Sequence, residues 1–181
     1  MLFNAVSELQ FMMTRMIKIS TTKAGRLFPS VTRAFSTLLS DRNAPLDVHP
    51  EVKEAICSRR PVVALETTIV THGMPYPTNL ETARSLEKIV RSTGSVPATI
   101  GIIGGRIKIG LEPSELERLA DTNRTPSPVK VSRRDIGSSL SMKMDGGTTC
   151  SATLIFAALA GIKVSWVFLD HFFQQLKFTR E

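Results

Sequence analysis

Apolar residues in this chain come in short solid blocks, with stripes at helical spacing between them. Val62–Leu65 is an unbroken apolar run, long enough for a strand buried on both faces, as in a covered parallel sheet. Val96–Ile103 reads as a second buried strand, residues 129–135 as a third strand running into a basic loop, and Ile162-Lys163-Val164 as the start of a fourth. Between the first two, Leu80, Ala83, Leu86 and Val90 recur at helical spacing. Thr78 and Glu81 are spaced there as a capping box. Glu87 and Arg91 stand at i, i+4 on the outer face, and Gly94 is placed to end the helix. Pro50 opens a short helix over 49–56, and Pro113 another over Pro113–Ala120. Gly104-Gly105 predicts a tight turn into a short strand over 106–110 with alternating faces. Residues 121–128 read as a polar loop, and 152–160 as a small-residue helix ended by Gly161. Strands alternating with helices predict an α/β fold.

Composition narrows the class. The 181 residues suit one domain with an extension. No apolar run approaches the ~20 residues of a membrane span, so no membrane role is expected. Cys57 and Cys150 lie far apart and match no CxxC spacing, which favours a reducing compartment. The net charge of +7 raises nucleic acid as a partner. Much of the excess falls in residues 1–41, however, and no aromatic-interleaved basic patch follows, so nucleic-acid binding is discounted. Residues 1–41 carry Arg15, Lys18, Lys23, Arg26 and Arg33 among Ser, Thr and apolar residues, with Glu8 the only acid before Asp41. That is the composition of an organellar transit peptide. Phe3, Val6, Leu9 and Met13 share one helical face, and Arg33-Ala34-Phe35-Ser36 resembles a mitochondrial processing site. Mitochondrial delivery is the expectation, with a cytoplasmic or peroxisomal location as the alternative.

Candidate chemistry gathers at the ends of the strands, where open α/β sheets hold their ligands. Glu66 follows Val62–Leu65 directly and is either a carboxylate at a pocket floor or a strand-end residue pointing to water. Thr67, Thr68, Thr71 and His72 come next, before a Gly/Pro turn. Lys130, between two valines, points opposite to them if the segment is extended. Arg133 and Arg134 either meet a phosphate or form a solvated turn with Asp135. Residues 145–151 precede a helix, so their N–H groups and hydroxyls suit an anion, unless Thr148 or Thr149 is an ordinary cap. Gly104-Gly105 fits neither a GxxxxGK[ST] loop nor a GxGxxG helix start.

Five segments carry a resemblance: HPEVKEAI, PVVALETTIVTHGMPYPTN, SVPATIGIIGGRIKIGL, VKVSRRDI and GGTTCSATLIFAALAGIKV. Together they resemble the pseudouridine-5′-phosphate glycosidase family from Leu46 to Val164. The resemblance implies a three-layer α/β/α sandwich around a mixed, mostly parallel sheet, of which this chain holds the N-terminal half. It implies reversible cleavage of the C–C glycosidic bond of pseudouridine 5′-phosphate to uracil and ribose 5-phosphate. In that chemistry the opened ribose is held as a Schiff base on a lysine. It further implies a homotrimer and a divalent metal, typically Mn2+. By alignment Glu66 is the acid/base and Lys130 binds substrate. Cys150 makes a backbone substrate contact where the family often has Val. Thr148 and Thr149 suit an anion or a ribose hydroxyl.

The family then continues into a glycine-rich GGIGGVHR segment, whereas this chain reads Ser165-Trp166-Val167-Phe168 and ends at Glu181. The expected organisation is therefore a transit segment over 1–41, the N-terminal part of the glycosidase domain over 42–164, and a divergent tail over 165–181. The family's metal-ligand Asp and nucleophilic Lys lie beyond the divergence, so no metal ligand is assigned here and the chain as written is expected to be inactive. The alternative is a non-catalytic interaction or sugar-phosphate-binding fragment of the same family. One expectation is directly testable. A fluorescent reporter fused behind residues 1–41 should accumulate in mitochondria, and a diffuse cytosolic signal would refute the transit reading.

Overall fold

In the computed structural model of the chain, residues 44–162 and the backbone of residues 165–166 are described. The segment expected over 1–41 and most of the expected tail lie outside the described residues. The elements are β1 (Leu46–Val48), α1 (Pro50–Cys57), β2 (Val62–Leu65), a π-helical turn (Ile69–Gly73) and α2 (Thr78–Ser92). Then come β3 (Val96–Ile103), β4 (Arg106–Ile109), α3 (Pro113–Ala120), β5 (Val129–Val131) and a 3-10 turn (Arg133–Asp135). The last are α4 (Ile136–Ser141), β6 (Gly146–Thr148), α5 (Cys150–Leu159) and β7 (Ser165–Trp166). None of the described helices is long and apolar enough to cross a membrane.

The strands form one sheet in the order β1-β4-β3-β2-β7, with β6 also on β3 and β5 outside β6. The pairs β1–β4, β2–β3, β2–β7 and β5–β6 are parallel; β3–β4 and β3–β6 are antiparallel. The sheet is thus mixed and mostly parallel. Ala98, Ile100 and Ile102 of β3 face α1 and α5, packing with Val52, Ala55, Ala152, Phe156 and Ala157. On the opposite face Val90 of α2 covers Val63 and Leu65. There Leu80 and Ala83 of α2 also meet Leu116 and Leu119 of α3 and Ile69 and Val70 of the π turn. Helices on both faces make the three-layer α/β/α arrangement. Pro97 is accommodated inside β3 because β4 begins pairing only at Ile100, leaving β2 alone beside it.

Several local expectations are corrected by tertiary contacts. Thr78 does not cap α2: it is the first helical residue, and the cap position falls on Pro77. The start of α2 is pinned instead by buried Asn79, whose Nδ2 donates to the carbonyls of Val70 (2.7 Å) and Ala120 (2.8 Å). A capping box forms at Glu112 and Glu115, ahead of α3. Arg91 reaches Glu51 of α1 (Nη2–Oε2 2.8 Å) rather than Glu87, which turns inward to accept the hydroxyl of Thr99. Ile162 closes α5, its N–H on the Ala157 carbonyl, and the next described strand is β7 at Ser165–Trp166, within the stretch read as divergent tail. Strand β1 and the π turn were not foreseen, and neither were two later elements. Helix α4 follows what read as a basic loop, and β6 lies where a pre-helix loop was expected.

Asp145, just before β6, ties four pieces of chain together. Its carboxylate accepts from the Gly104 N–H in the β3–β4 turn (2.8 Å), from Arg118 at the end of α3 (Nε 2.8 Å) and from Arg124 in the following loop (Nη1 2.6 Å). Its side chain is only 7% exposed. Burial pushes the carboxyl upward, but the Arg118 and Gly104 hydrogen bonds and the two guanidinium charges outweigh it, holding the group below its ordinary 3.8. The folded chain thus binds this proton less readily than the unfolded chain. The stabilisation is full above the ordinary value and is lost as pH falls through the folded one. Asp145→Asn should cost about 1.5 kcal/mol, because it takes the charge from an acceptor of several hydrogen bonds while leaving guanidiniums that water can still reach. Urea unfolding at neutral pH measures this, and the gap from wild type should shrink on acidification. A pH-independent gap would mean that the charge contributes nothing.

Candidate active site at the split of the sheet

The sheet divides at Ile100. Up to Thr99, β3 runs beside β2; from Gly101 it runs beside β6. The chain leaving β2 must therefore turn over the end of β6, and it does so through Glu66, Thr67 and Thr68. The Ile100 carbonyl, left between two neighbours, accepts from Thr67 Oγ1 (2.7 Å) and from Thr148 Oγ1 (2.8 Å). Each hydroxyl has one hydrogen, so the 3.3 Å approach of Thr67 to Thr148 is a contact and not a third donation. Thr67 Oγ1 in turn accepts the Thr148 N–H (2.8 Å), and Thr148 Oγ1 accepts from Thr153 of α5 (2.9 Å). Thr68 donates to the Thr148 carbonyl (3.0 Å). Gly147 lies under the π turn so closely that a Cβ there would come 2.2 Å from Thr71 Oγ1. Glycine is required by that contact.

This frame places the candidate residues. Glu66 is 4% exposed, which removes the reading of a strand-end residue pointing to water. Its Oε2 lies 3.1 Å from Sγ of Cys150, the first residue of α5. Lys130 is exposed on β5, in register with Gly147 of β6. His72, in the π turn, has Nδ1 2.7 Å from Thr71 Oγ1. Partial burial of the ring, and then the positive charge of Lys130, hold its imidazole below the ordinary 6.5. The strand β5 that carries Lys130 and the π turn that carries His72 both lie against β6. π-Helical turns are often found at functional sites. Here the turn carries an imidazole that is neutral at pH 7 to the neighbourhood of a cation. His72 was visible in the sequence as an imidazole at a strand end, but a single His gives no signal of its partner on β5.

The threonines differ from each other. Thr148 is completely buried and its hydroxyl hydrogen goes to Ile100, so its side chain faces the frame rather than a ligand, contrary to expectation. Thr149 is half-buried, with its hydroxyl 3.2 Å from Ser151 Oγ at the start of α5. Ser151 Oγ also accepts the Arg133 N–H (3.2 Å). Arg133 and Arg134 are both exposed, with Arg134 Nε 3.8 Å from Asp135. This is the solvated-turn alternative. Two clefts, of about 360 and 690 Å3, lie elsewhere and are lined by neither Glu66, Lys130 nor Cys150. Arg84 and Glu117 in them pair with each other, and Arg118 and Arg124 are committed to Asp145. The split of the sheet is the better candidate because it sets the buried Glu66 carboxylate against the Cys150 thiol at the end of β2, with β5 and the π turn both lying beside β6.

The profile of indigoidine synthase A like proteins matches residues 51–166. A pseudouridine-5′-phosphate glycosidase of Caldanaerobacter subterraneus subsp. tengcongensis is 56% identical over 122 residues, which is 67% of this chain and 39% of that protein. One from Symbiobacterium thermophilum is 57% identical over 119 residues, 66% of this chain and 38% of the relative. The chain thus spans about two-fifths of the length of these curated relatives. Among solved structures, the prealnumycin C-glycosynthase AlnA, determined in complex with ribulose 5-phosphate, superposes with a TM-score of 0.58 at 44% identity, covering 66% of this chain and 37% of that one. An indigoidine synthase A-like protein from Thermotoga maritima gives 0.57 at 31% identity, covering 66% and 38%.

The charge coupling across β6 can be measured. In Lys130→Met the His72 ring should titrate closer to 6.5 than in the parent chain, as read from imidazole carbon and proton shifts. Because the folded state holds His72 proton-poor, stability falls as pH drops from the ordinary value toward the lowered one, and the variant should lose less over that window. An unmoved His72 titration would separate the two residues.

Proposed function

The chain belongs to the indigoidine synthase A like family, and on that footing we propose that it carries the proton-transfer part of a C–C glycosidase site. The proposed substrate is pseudouridine 5′-phosphate, with uracil and ribose 5-phosphate as products. The observation that carries this reading is the buried Glu66 carboxylate at the end of β2, in contact with the first residue of α5. The relatives' names and the sugar-phosphate complex of AlnA support the substrate class.

Uracil in this substrate is attached through carbon. Cleavage therefore needs a proton delivered to a ring carbon, since protonating a nitrogen does not release it. Glu66 is the group proposed to hold and move that proton. Its enclosure keeps water from competing and strengthens its interactions with a polar substrate. Lys130 is proposed to meet the phosphorylated sugar as a compact point charge. Thr149 and the backbone of Cys150, at the start of α5, face the same ligand in this proposal.

The family resemblance also implies manganese. No group of three or more His, Cys, Asp or Glu gathers among the described residues in a way that could hold an ion. Three-fold assembly, and delivery to mitochondria by residues 1–41, complete the proposal.

The test grafts residues 51–166 in place of the matching segment of the Caldanaerobacter relative and follows uracil released from pseudouridine 5′-phosphate. The chimera should turn over. Glu66→Gln in it should lower kcat by roughly 10²–10⁴-fold, the usual contribution of a positioned acid/base, with the fold intact by circular dichroism. Lys130→Ala should act mainly on KM. Near-normal turnover in Glu66→Gln would remove the assignment, and an unchanged KM in Lys130→Ala would make that lysine a surface residue only.

A further inference from the structure

Two cysteines are present, and their surroundings differ. Cys57 is exposed at the end of α1, whereas Cys150 is half-buried at the start of α5 with Sγ 3.1 Å from Glu66 Oε2. The approach is set by backbone pinned on both sides. Thr67, the residue after Glu66, and Thr148, two residues before Cys150, donate to the same Ile100 carbonyl. The Thr67 N–H also reaches the Thr148 carbonyl (3.2 Å). The carboxylate and the thiol are therefore carried to each other by the frame and not by the chance of two flexible side chains.

We propose that Cys150 is a positioning residue for Glu66: its S–H donates to Oε2 and holds the carboxylate plane in the orientation in which it meets a substrate. This rests on the reading of Glu66 as the proton-transfer group, and it gives the side chain of Cys150 a task apart from any backbone contact. A thiol is a weak donor, and an ionised oxygen is the acceptor that suits it best. The contact works in both directions. The carboxylate charge opposes loss of the thiol proton, so Cys150 reacts slowly with electrophiles while Glu66 is ionised. Conversely, alkylation at Sγ removes the donated hydrogen and sets bulk against the carboxylate.

The coupling is read without any catalytic activity. In the full chain carrying Cys57→Ser, iodoacetamide labelling of Cys150 is followed by mass spectrometry at pH 7.5. Glu66→Gln, which keeps the shape and removes the charge, should speed labelling about tenfold, because the thiolate is the reactive form and the carboxylate no longer opposes it. Equal rates in the two proteins would overturn the proposal. A second measurement guards against a loosened fold. The carboxyl-carbon titration of Glu66 should be preserved in Cys150→Ser, which keeps a donor, and should move upward in Cys150→Val, which has none. Serine and valine variants that titrate alike would also overturn it, since a merely structural role gives no such difference. If the labelling is coupled but Glu66→Gln leaves uracil release by the chimera unaffected, the catalytic reading of Glu66 fails, and with it the positioning role. The thiol–carboxylate contact would remain.

Discussion

A single backbone carbonyl, that of Ile100, sets most of what is built around it. It sits where β3 changes neighbours from β2 to β6 and would be left without a ladder partner on that edge. A buried orphan carbonyl costs on the order of 1–3 kcal/mol. Two threonine hydroxyls from opposite sides of the split prevent this. Both are buried and have no other use for their hydrogens. By satisfying the carbonyl they fix where β2 ends, how β6 enters and where α5 begins. Glu66 and Cys150 are neighbours of those two threonines along the chain, so the meeting of carboxylate and thiol follows from the repair of a sheet defect.

The electrostatics divide the same way. Along the split are one buried carboxylate, an imidazole held below its ordinary value, and an exposed ammonium whose charge helps to hold it there. Groups of different protonation preference kept close together are the usual basis of acid/base chemistry at neutral pH. The Asp145 cluster has the opposite character. Its two guanidiniums are locked on one carboxylate, and they serve to anchor the β3–β4 turn, α3 and the Arg124 loop to the strand that carries Gly147 and Thr148. The glycines of that strand complete the picture. A side chain at Gly146 would meet Val131 Cγ2 at 2.5 Å, and one at Gly147 would meet the π turn.

Much of the fold was legible in the chain. Val62–Leu65 is a solid apolar run, and Val96–Ile103 an apolar one interrupted at Thr99, because both faces of the sheet are covered. Pro113–Ala120 lies where its first-turn proline and apolar spacing put it. Gly94, Gly104, Gly105 and Gly161 all take positive φ where the pattern required a helix end or a tight turn. Strand β6 was illegible because Gly-Gly-Thr has no apolar period to show. The capping box at Thr78 was a local signal overruled by a distant one, the two carbonyls that Asn79 reaches across 9 and 41 positions. Glu87 was read as outward because spacing reports only which residues share a helix face and not what the opposite layer offers, here the hydroxyl of Thr99.

For the site, the residue types were in the sequence and their relations were not. The position of Glu66 at a strand end, and the alternation that sends Lys130 away from its two valines, follow from periods of one strand each, which are local properties. That Glu66 is buried, that it meets Cys150 84 positions away, that Lys130 acts on His72 and that Thr148 turns inward are all consequences of strand order. Strand order depends on which edges of β3 are taken and by whom. Such pairing is decided by long-range contacts whose partners share no periodicity along the chain, so it becomes fixed only when the sheet closes around Ile100.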